Sequence, residues 1–160
     1  MKYGPHLSLS DQATLPPGVN LSAVTSLWLH GQATLPPGVD LSAVTSLELS
    51  GQATLPPGVD LSKLQAEIPL IPDIDATILA AIEAGGSLDM AAWHVCETTH
   101  CRAGWAIHLA GEKGYALEKK FGSQTAGALI YARSRPDMPT PNFFANNTEA
   151  MADLQRCAAK

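Results

Sequence analysis

Thirteen consecutive residues, Trp93–Trp105, read WHVCETTHCRAGW and concentrate the reactive side chains of this chain: two His, two Cys, two Trp, two Thr, one Glu and one Arg. Three chemistries fit these residue types. His94, Cys96, His100 and Cys101 are zinc donors, and four such groups close a tetrahedron. Their spacing departs from a Cys-x2-Cys knuckle, and the adjacent His100 and Cys101 do not readily turn toward one ion. A thiol nucleophile is the second reading. Cys101 at the start of a helix would feel a dipole that lowers its pKa, with His94, His100 or His108 as base and Glu97 as orienting group. In the third reading the Cys and Trp side chains are core, and Thr98, Thr99 and His100 satisfy a tight turn before a helix. Burial is the commonest fate of free cysteine. No cofactor is expected apart from zinc in the first reading.

The elements that must carry this block are short helices. Asp75–Ala84 puts Ile78, Leu79 and Ile82 on one face and stops at Gly85-Gly86. Leu88–His94 predicts a short helical turn. Cys101–Ala110 carries a stripe of Ala103, Ile107 and Ala110. Glu112–Phe121 ends at Gly122, Ser123 is expected to cap Gln124–Ser134, and a last helix opens at Asn147-Thr148-Glu149 and runs to about Ala158. Residues 76–160 are thus expected to form a small all-helical domain, with Phe143-Phe144 anchoring a proline-rich loop. Gly111-Glu112-Lys113-Gly114 lacks the spacing of a phosphate loop and reads as a turn. Lys119, Lys120, Arg133 and Arg135 read as a solvated helix side.

The first 65 residues follow a different rule. DQATLPPGVNLSAVTSLWLH (Asp11–His30) is followed by GQATLPPGVDLSAVTSLELS (Gly31–Ser50) and by a third copy that breaks off after Leu64. A fixed period of 20 residues is the mark of stacked repeats, each burying its apolar edge on its neighbours. Leu7-Ser8-Leu9, Leu27-Trp28-Leu29 and Leu47-Glu48-Leu49 alternate as strands do, and identical connections make them parallel. Leu-Pro-Pro-Gly supplies an extended stretch and a turn. Asn20, Asp40 and Asp60 are placed to cap a helical turn. Gln12, Gln32 and Gln52 fall in register, where an amide ladder could satisfy loop backbone groups inside the stack. Residues 66–75, AEIPLIPDID, read as a linker that caps the open end of the repeats.

The L-x-L and Leu-Pro spacing resembles the short bacterial leucine-rich repeat of 20 residues. Gln replaces the family's Asn, and Ala-Thr occupies its next apolar position. The resemblance implies an α+β chain: a short parallel β-solenoid over residues 1–65, capped by the helical domain. It also implies that the variable residues of L-x-L face outward on a protein-binding surface. Ser8, Trp28 and Glu48 would then stand in a row with Ser10, His30 and Ser50 beside them, and Asp40 and Asp60 would add charge. An exposed Trp among polar groups is a common hot-spot residue; the alternative is a Trp28 covered by the second half. Residues 88–146 resemble a domain that recurs in uncharacterised bacterial and phage proteins, through Trp93–Trp105 and Asn142-Phe143-Phe144. That resemblance implies a mobile-element setting and no activity.

Charge bounds the partner. The net charge is −5. Residues 1–100 hold ten Asp/Glu against Lys2 and Lys63, a net of −8, whereas residues 101–160 hold eight Lys/Arg against five acids, a net of +3. An acidic first half repels a nucleic-acid backbone and could imitate one on a basic groove; equally, the asymmetry could let the halves pack. No apolar run is long enough for a membrane span and no basic start precedes an apolar core, so neither a span nor a signal peptide is expected. Three cysteines fit a reducing cytoplasm. The expectation is a non-catalytic protein-binding module in a bacterial host cell. Its suggested role is an anti-CRISPR-like inhibitor of a nucleic-acid-binding defence complex, with no membrane and no direct nucleic-acid binding. A zinc protein or thiol enzyme built on residues 94–101 is the alternative.

Overall fold

The structure is a computed structural model that describes residues 3–160. Three parallel strands, β1 (His6–Leu9), β2 (Ser26–Leu29) and β3 (Ser46–Leu49), pair in the order β1-β2-β3. The register is the repeat itself: Leu7, Leu27 and Leu47 are neighbours, as are Ser8, Trp28 and Glu48. Alternation then sorts the faces. Leu27, Leu29, Leu47 and Leu49 are buried, while Ser8, Trp28 and Glu48 stay outside.

The connections explain the proline pairs. Val19 N–H donates to the Pro16 carbonyl across a turn with Pro17 and Gly18 at its centre; Gly18 has φ 77°, the positive value a type II turn demands there. No helix follows. Asn20, Asp40 and Asp60 each accept the amide two residues on, from Ser22, Ser42 and Ser62, at 3.0, 2.9 and 3.0 Å. These are Asx turns, because the next residues close a four-residue turn (Val24 N–H to Leu21 O, 2.9 Å) instead of a helix. The glutamine ladder forms, with Gln12 donating to Gln32 at 3.3 Å and Gln32 to Gln52 at 3.1 Å. It lies on the exposed surface, where the amides satisfy one another and not the loop backbone.

The remainder holds α1 (Ile74–Glu83), α2 (Arg102–Leu109), α3 (Gly111–Phe121), α4 (Ser123–Ser134) and α5 (Asn147–Ala158). It is not all-helical. β4 (Ser87–Leu88), β5 (His94–Cys96) and β6 (Thr99–His100) form a second sheet in the order β4-β6-β5, so Leu88–His94 is not a helical turn. Ser87 and Asp89 donate their amides to the carbonyls of Thr98 and His100 (2.8 and 3.1 Å), and that pairing holds the segment extended. The chain is α+β, with one continuous apolar core running from Leu21 to Leu154. Among the described residues no helix is long and apolar enough to cross a membrane.

Helix α4, more than the 66–75 linker, closes the third copy. Thr125–Ala132 is buried throughout. Thr125 Oγ1 accepts the Leu49 amide at 3.0 Å, Gln124 donates to the Gly51 carbonyl at 2.8 Å, and Thr140 Oγ1 accepts the Leu55 amide at 2.8 Å. The unpaired edge of the last repeat is thereby given side-chain partners. The linker packs beneath, with Ile68 and Ile71 buried and the Ile71 amide held by Ser134 Oγ at 2.9 Å.

Several basic side chains of the second half are committed internally. Arg133 donates to the carbonyls of Gln65 and Ile68, Arg135 to Asp75 and the Pro139 carbonyl, and Lys120 to Glu67. Asp75 and Glu67 come from the acidic part of the sequence and Arg102, Arg135 and Lys120 from the basic part, so the charge asymmetry is spent in part on packing.

Candidate protein-binding groove and the histidine cluster beside it

A cleft of about 670 Å³ opens between the outer face of the repeat sheet and the start of α4. Trp28 and Glu48 form one wall; Trp93, Phe121 and Ser123–Thr125 line the other side. Trp28 is 48 % exposed, so the second half does not cover it. Its ring meets His30 edge-on at 6.3 Å, and His30 Nδ1 lies 2.5 Å from Ser50 Oγ. The strand alternation that buries Leu27 and Leu29 forces the indole outward. Trp93 in turn packs edge-to-face on Phe144, at 5.9 Å between centroids, and Phe144 is 52 % exposed. Of the expected anchor pair only Phe143 is buried; it packs near Tyr131, whereas Phe144 extends the surface aromatics.

The residues anticipated at this surface separate into two groups. Ser8, Trp28 and Glu48 share one register row, with His30 beside it. Asp40 and Asp60 do not line the groove. They face each other in a separate parallel bridge, and each carboxylate is occupied by the serine of its own turn. The serine bond also holds the Asp40 carboxyl below its usual pKa.

Behind Trp93 lies a cluster that spacing alone does not bring together. His94 Nδ1 and His100 Nδ1 are 2.8 Å apart, His94 Nε2 is 2.9 Å from Glu118 Oε1, and His100 Nε2 is 3.2 Å from the Glu97 carbonyl. Ser123 Oγ donates to the same Glu118 oxygen at 2.7 Å. Ser123 is therefore not the cap of α4; that position is Gly122, which makes no side-chain bond. His100 stacks on His108 at 4.5 Å and meets Trp105 edge-on, and His108 Nδ1 lies 2.8 Å from the Tyr115 hydroxyl. Two neutral imidazoles own two N–H groups, whereas the three contacts need three protons. With both rings neutral, two of the three contacts therefore hold a proton and the third does not.

Burial lowers the pKa of His100, and the neighbouring His108 and His94 lower it further. A group depressed in this way contributes stability that is complete above the unfolded value of 6.5 and is lost as pH falls through the folded value. The ring resonances of His100 are expected to titrate with a midpoint below 6.5 in an NMR pH series. A midpoint at or above that value would remove burial as the controlling influence.

The cysteines do not join the histidines. Cys101 does open α2, where its sulfur accepts the Gly104 amide at 3.3 Å. Yet it is 1 % exposed, and burial pushes its thiol up to about 11. The helix-start dipole is outweighed, which removes Cys101 as an activated nucleophile. Cys96 is exposed, and the hydroxyl of Thr98, 3.5 Å from its sulfur, leads a set of bonds that bring its thiol down to about 7. Among the described residues no three His, Cys, Asp or Glu side chains are grouped to hold a metal ion. His94 and His100 spend their facing nitrogens on each other, while Cys96 and Cys101 lie apart in burial, exposed and buried respectively. At about pH 8 a thiol reagent is expected to modify Cys96 alone in the native protein and all three cysteines, Cys96, Cys101 and Cys157, after denaturation. Mass spectrometry of the labelled peptides reads the result.

Comparison of the chain with protein-family models, with curated proteins and with solved structures finds no match in any of the three.

Proposed function

We propose that this chain is a non-catalytic protein-binding module. In this reading its 20-residue copies are a short solenoid of leucine-rich-repeat type, and the helical segment is a cap that supplies the second wall of the groove. The observation that carries it is the half-exposed Trp28, set beside Glu48 and across a cleft from Trp93, whose ring bears the exposed Phe144. Large aromatics held outward by a rigid sheet are the side chains that anchor protein interfaces.

The partner is a basic protein segment. The first hundred residues carry a net −8, and Arg102, Arg133 and Arg135 of the second half are turned inward onto Asp75, Asp153 and backbone carbonyls. Such a surface repels nucleic acid and suits the groove of a protein that binds it. Together with the likeness of residues 88–146 to a domain of phage and bacterial proteins, this supports an inhibitor of a host defence complex, acting in the bacterial cytoplasm. The Cys/His alternative finds less support, because Cys101 is buried and its thiol raised.

Panning a random peptide library on the immobilised protein tests the reading. Lys/Arg-containing sequences are expected to be enriched. Trp28→Ala and Glu48→Lys are each expected to weaken the selected peptides by roughly tenfold or more without unfolding the chain. Enrichment indifferent to both substitutions would overturn the groove as the site.

A further inference from the structure

Two positions of the stacked edge depart from the repeat where its first copy, Asp11–His30, opens: Pro5, one period before Thr25, and Asp11, one period before Gly31. Thr25 and Thr45 donate their amides to the copy before them, to the carbonyls of Pro5 and Thr25, each at 2.9 Å. The residue one period before Thr25 is Pro5, which has no N–H. Gly31 and Gly51 both have φ 64°, and the equivalent residue of the first copy is Asp11, with φ 57°. A side chain at Gly31 or Gly51 would press on the backbone of the preceding copy: a β-carbon there would lie 3.2 Å from the Asp11 or Gly31 backbone. Asp11 carries such a carbon, and a carboxylate beyond it.

The rest of this edge keeps the pattern. His30 and Ser50 donate their amides to Leu9 and Leu29 at 2.9 Å, and Ser10 stands at the same phase. Among the described residues no strand pairs with the outer side of β1. An open parallel edge with matching spacing is a template for another copy unless something blocks it.

We infer that Pro5 and Asp11 are stop residues, which close the free edge of β1 to any further 20-residue copy of this repeat, whether from the same chain or a second one. Pro5 withdraws a donor that each later copy uses. By the Gly31 geometry, the β-carbon of Asp11 would press on a preceding backbone at about 3.2 Å, so that backbone would have to give way, and the carboxylate adds bulk and charge at the same edge. Aspartate is among the few non-glycine residues that tolerate a left-handed conformation, so the stop is compatible with the turn. Binding by the outer face of the sheet is thereby separated from association through its edge.

The test duplicates Thr25–Val44 at two places of equal phase. Inserted after Val24, the extra copy meets Thr25 and Gly31; inserted after Gly4, it meets Pro5 and Asp11. Amide hydrogen exchange of the inserted strand is the readout. Protection of roughly a hundredfold or more is expected for the insertion after Val24 and none for the insertion after Gly4. Protection is expected to return after Gly4 when Pro5→Thr and Asp11→Gly are made together. Equal protection at both places with the native residues present would overturn the inference. So would an unprotected copy after Val24, which would show that the stack takes up no extra copy even where threonine and glycine receive it, or a failure of the two substitutions to restore protection.

Discussion

Arg102→Ala is expected to cost about 3–5 kcal/mol, a large part of the roughly 5–15 kcal/mol that holds an ordinary domain together. The guanidinium is 1 % exposed and spends each of its nitrogens on a different element. Nε donates to the Tyr131 hydroxyl of α4 at 2.9 Å, Nη2 to Asp75 Oδ1 of α1 at 2.7 Å, and Nη1 to Asp153 of α5. Tyr131 also donates to Asp75, at 3.0 Å, and Arg135 reaches the other Asp75 oxygen at 2.7 Å. Removing Arg102 leaves Asp75 buried with half its counter-charge and opens a hole where four helices meet. Lysine does not repair it, because a single ammonium cannot span a planar fork of three directions. Asp153→Asn is expected to cost only about 1 kcal/mol, since its carboxylate is partly open to solvent. Urea denaturation of the three variants checks the ranking. An Arg102→Ala protein within about 1 kcal/mol of the parent would show that the network is not what joins the helices.

Gly104→Ala is the second large effect, by a different route. Gly104 lies in α2 where the block Trp93–Trp105 folds back on itself: the Trp93 carbonyl accepts the Cys101 amide at 3.3 Å and sits directly over Gly104. A methyl group there would fall well inside contact distance of the Trp93 carbonyl oxygen, with the His100 β-carbon 3.1 Å away on the other side. Neither neighbour is the free end of a side chain that can swing aside. The cost is expected at or above the upper end of the ~1–3 kcal/mol typical of overpacking. Trp93 and the His94–His100 pair should shift with it, so the near-ultraviolet circular dichroism of the tryptophans changes as well. Gly111→Ala is the control. It has φ 66° and open space around a β-carbon, so only the left-handed conformation is penalised, at about 1–2 kcal/mol. A loss at Gly104 no larger than that at Gly111 would mean that the Trp93 carbonyl gives way and does not set the requirement for glycine.

Sequence and structure agree where a short-range rule decides the outcome. The 20-residue period places identical residues side by side, so the parallel sheet, the leucine column and the outward row of Ser8, Trp28 and Glu48 follow from spacing. The five helices were readable, three of them from the glycines that follow them at Gly85, Gly111 and Gly122. The second sheet was not, because strands of two or three residues show no period. The Asx turns misled for a related reason: Asn or Asp before Leu-Ser is equally a helix cap and a turn, and the next backbone bond decides. Glu118 was missed because it meets His94 of strand β5 from helix α3, 24 residues away. The same holds for Arg102 and Asp75, 27 residues apart. Block composition picked out Trp93–Trp105 correctly as the unusual segment. It could not show that Cys101 faces the core and Cys96 the solvent, which depends on tertiary burial.

The charge pattern illustrates the same divide. Its uneven distribution was visible in the sequence, but its use was not. Asp75 and Glu67 are consumed by ion pairs within the fold, whereas Glu48 remains on the groove wall. What a basic partner would meet is therefore a narrow strip of aromatics with one acid, Glu48, and one base, Lys120, the latter already paired with Glu67, rather than a uniformly acidic face.

The most direct measurement is a nitrogen-15 NMR titration of the protein with a basic peptide selected by panning. The account predicts that the perturbed resonances gather on the Trp28 and Trp93 indoles, the Glu48 backbone and the Gln124 side chain, and that Trp28→Ala abolishes the perturbation. Perturbations centred elsewhere, such as the cleft lined by Ala145–Glu149, or an unchanged response in Trp28→Ala, would contradict it.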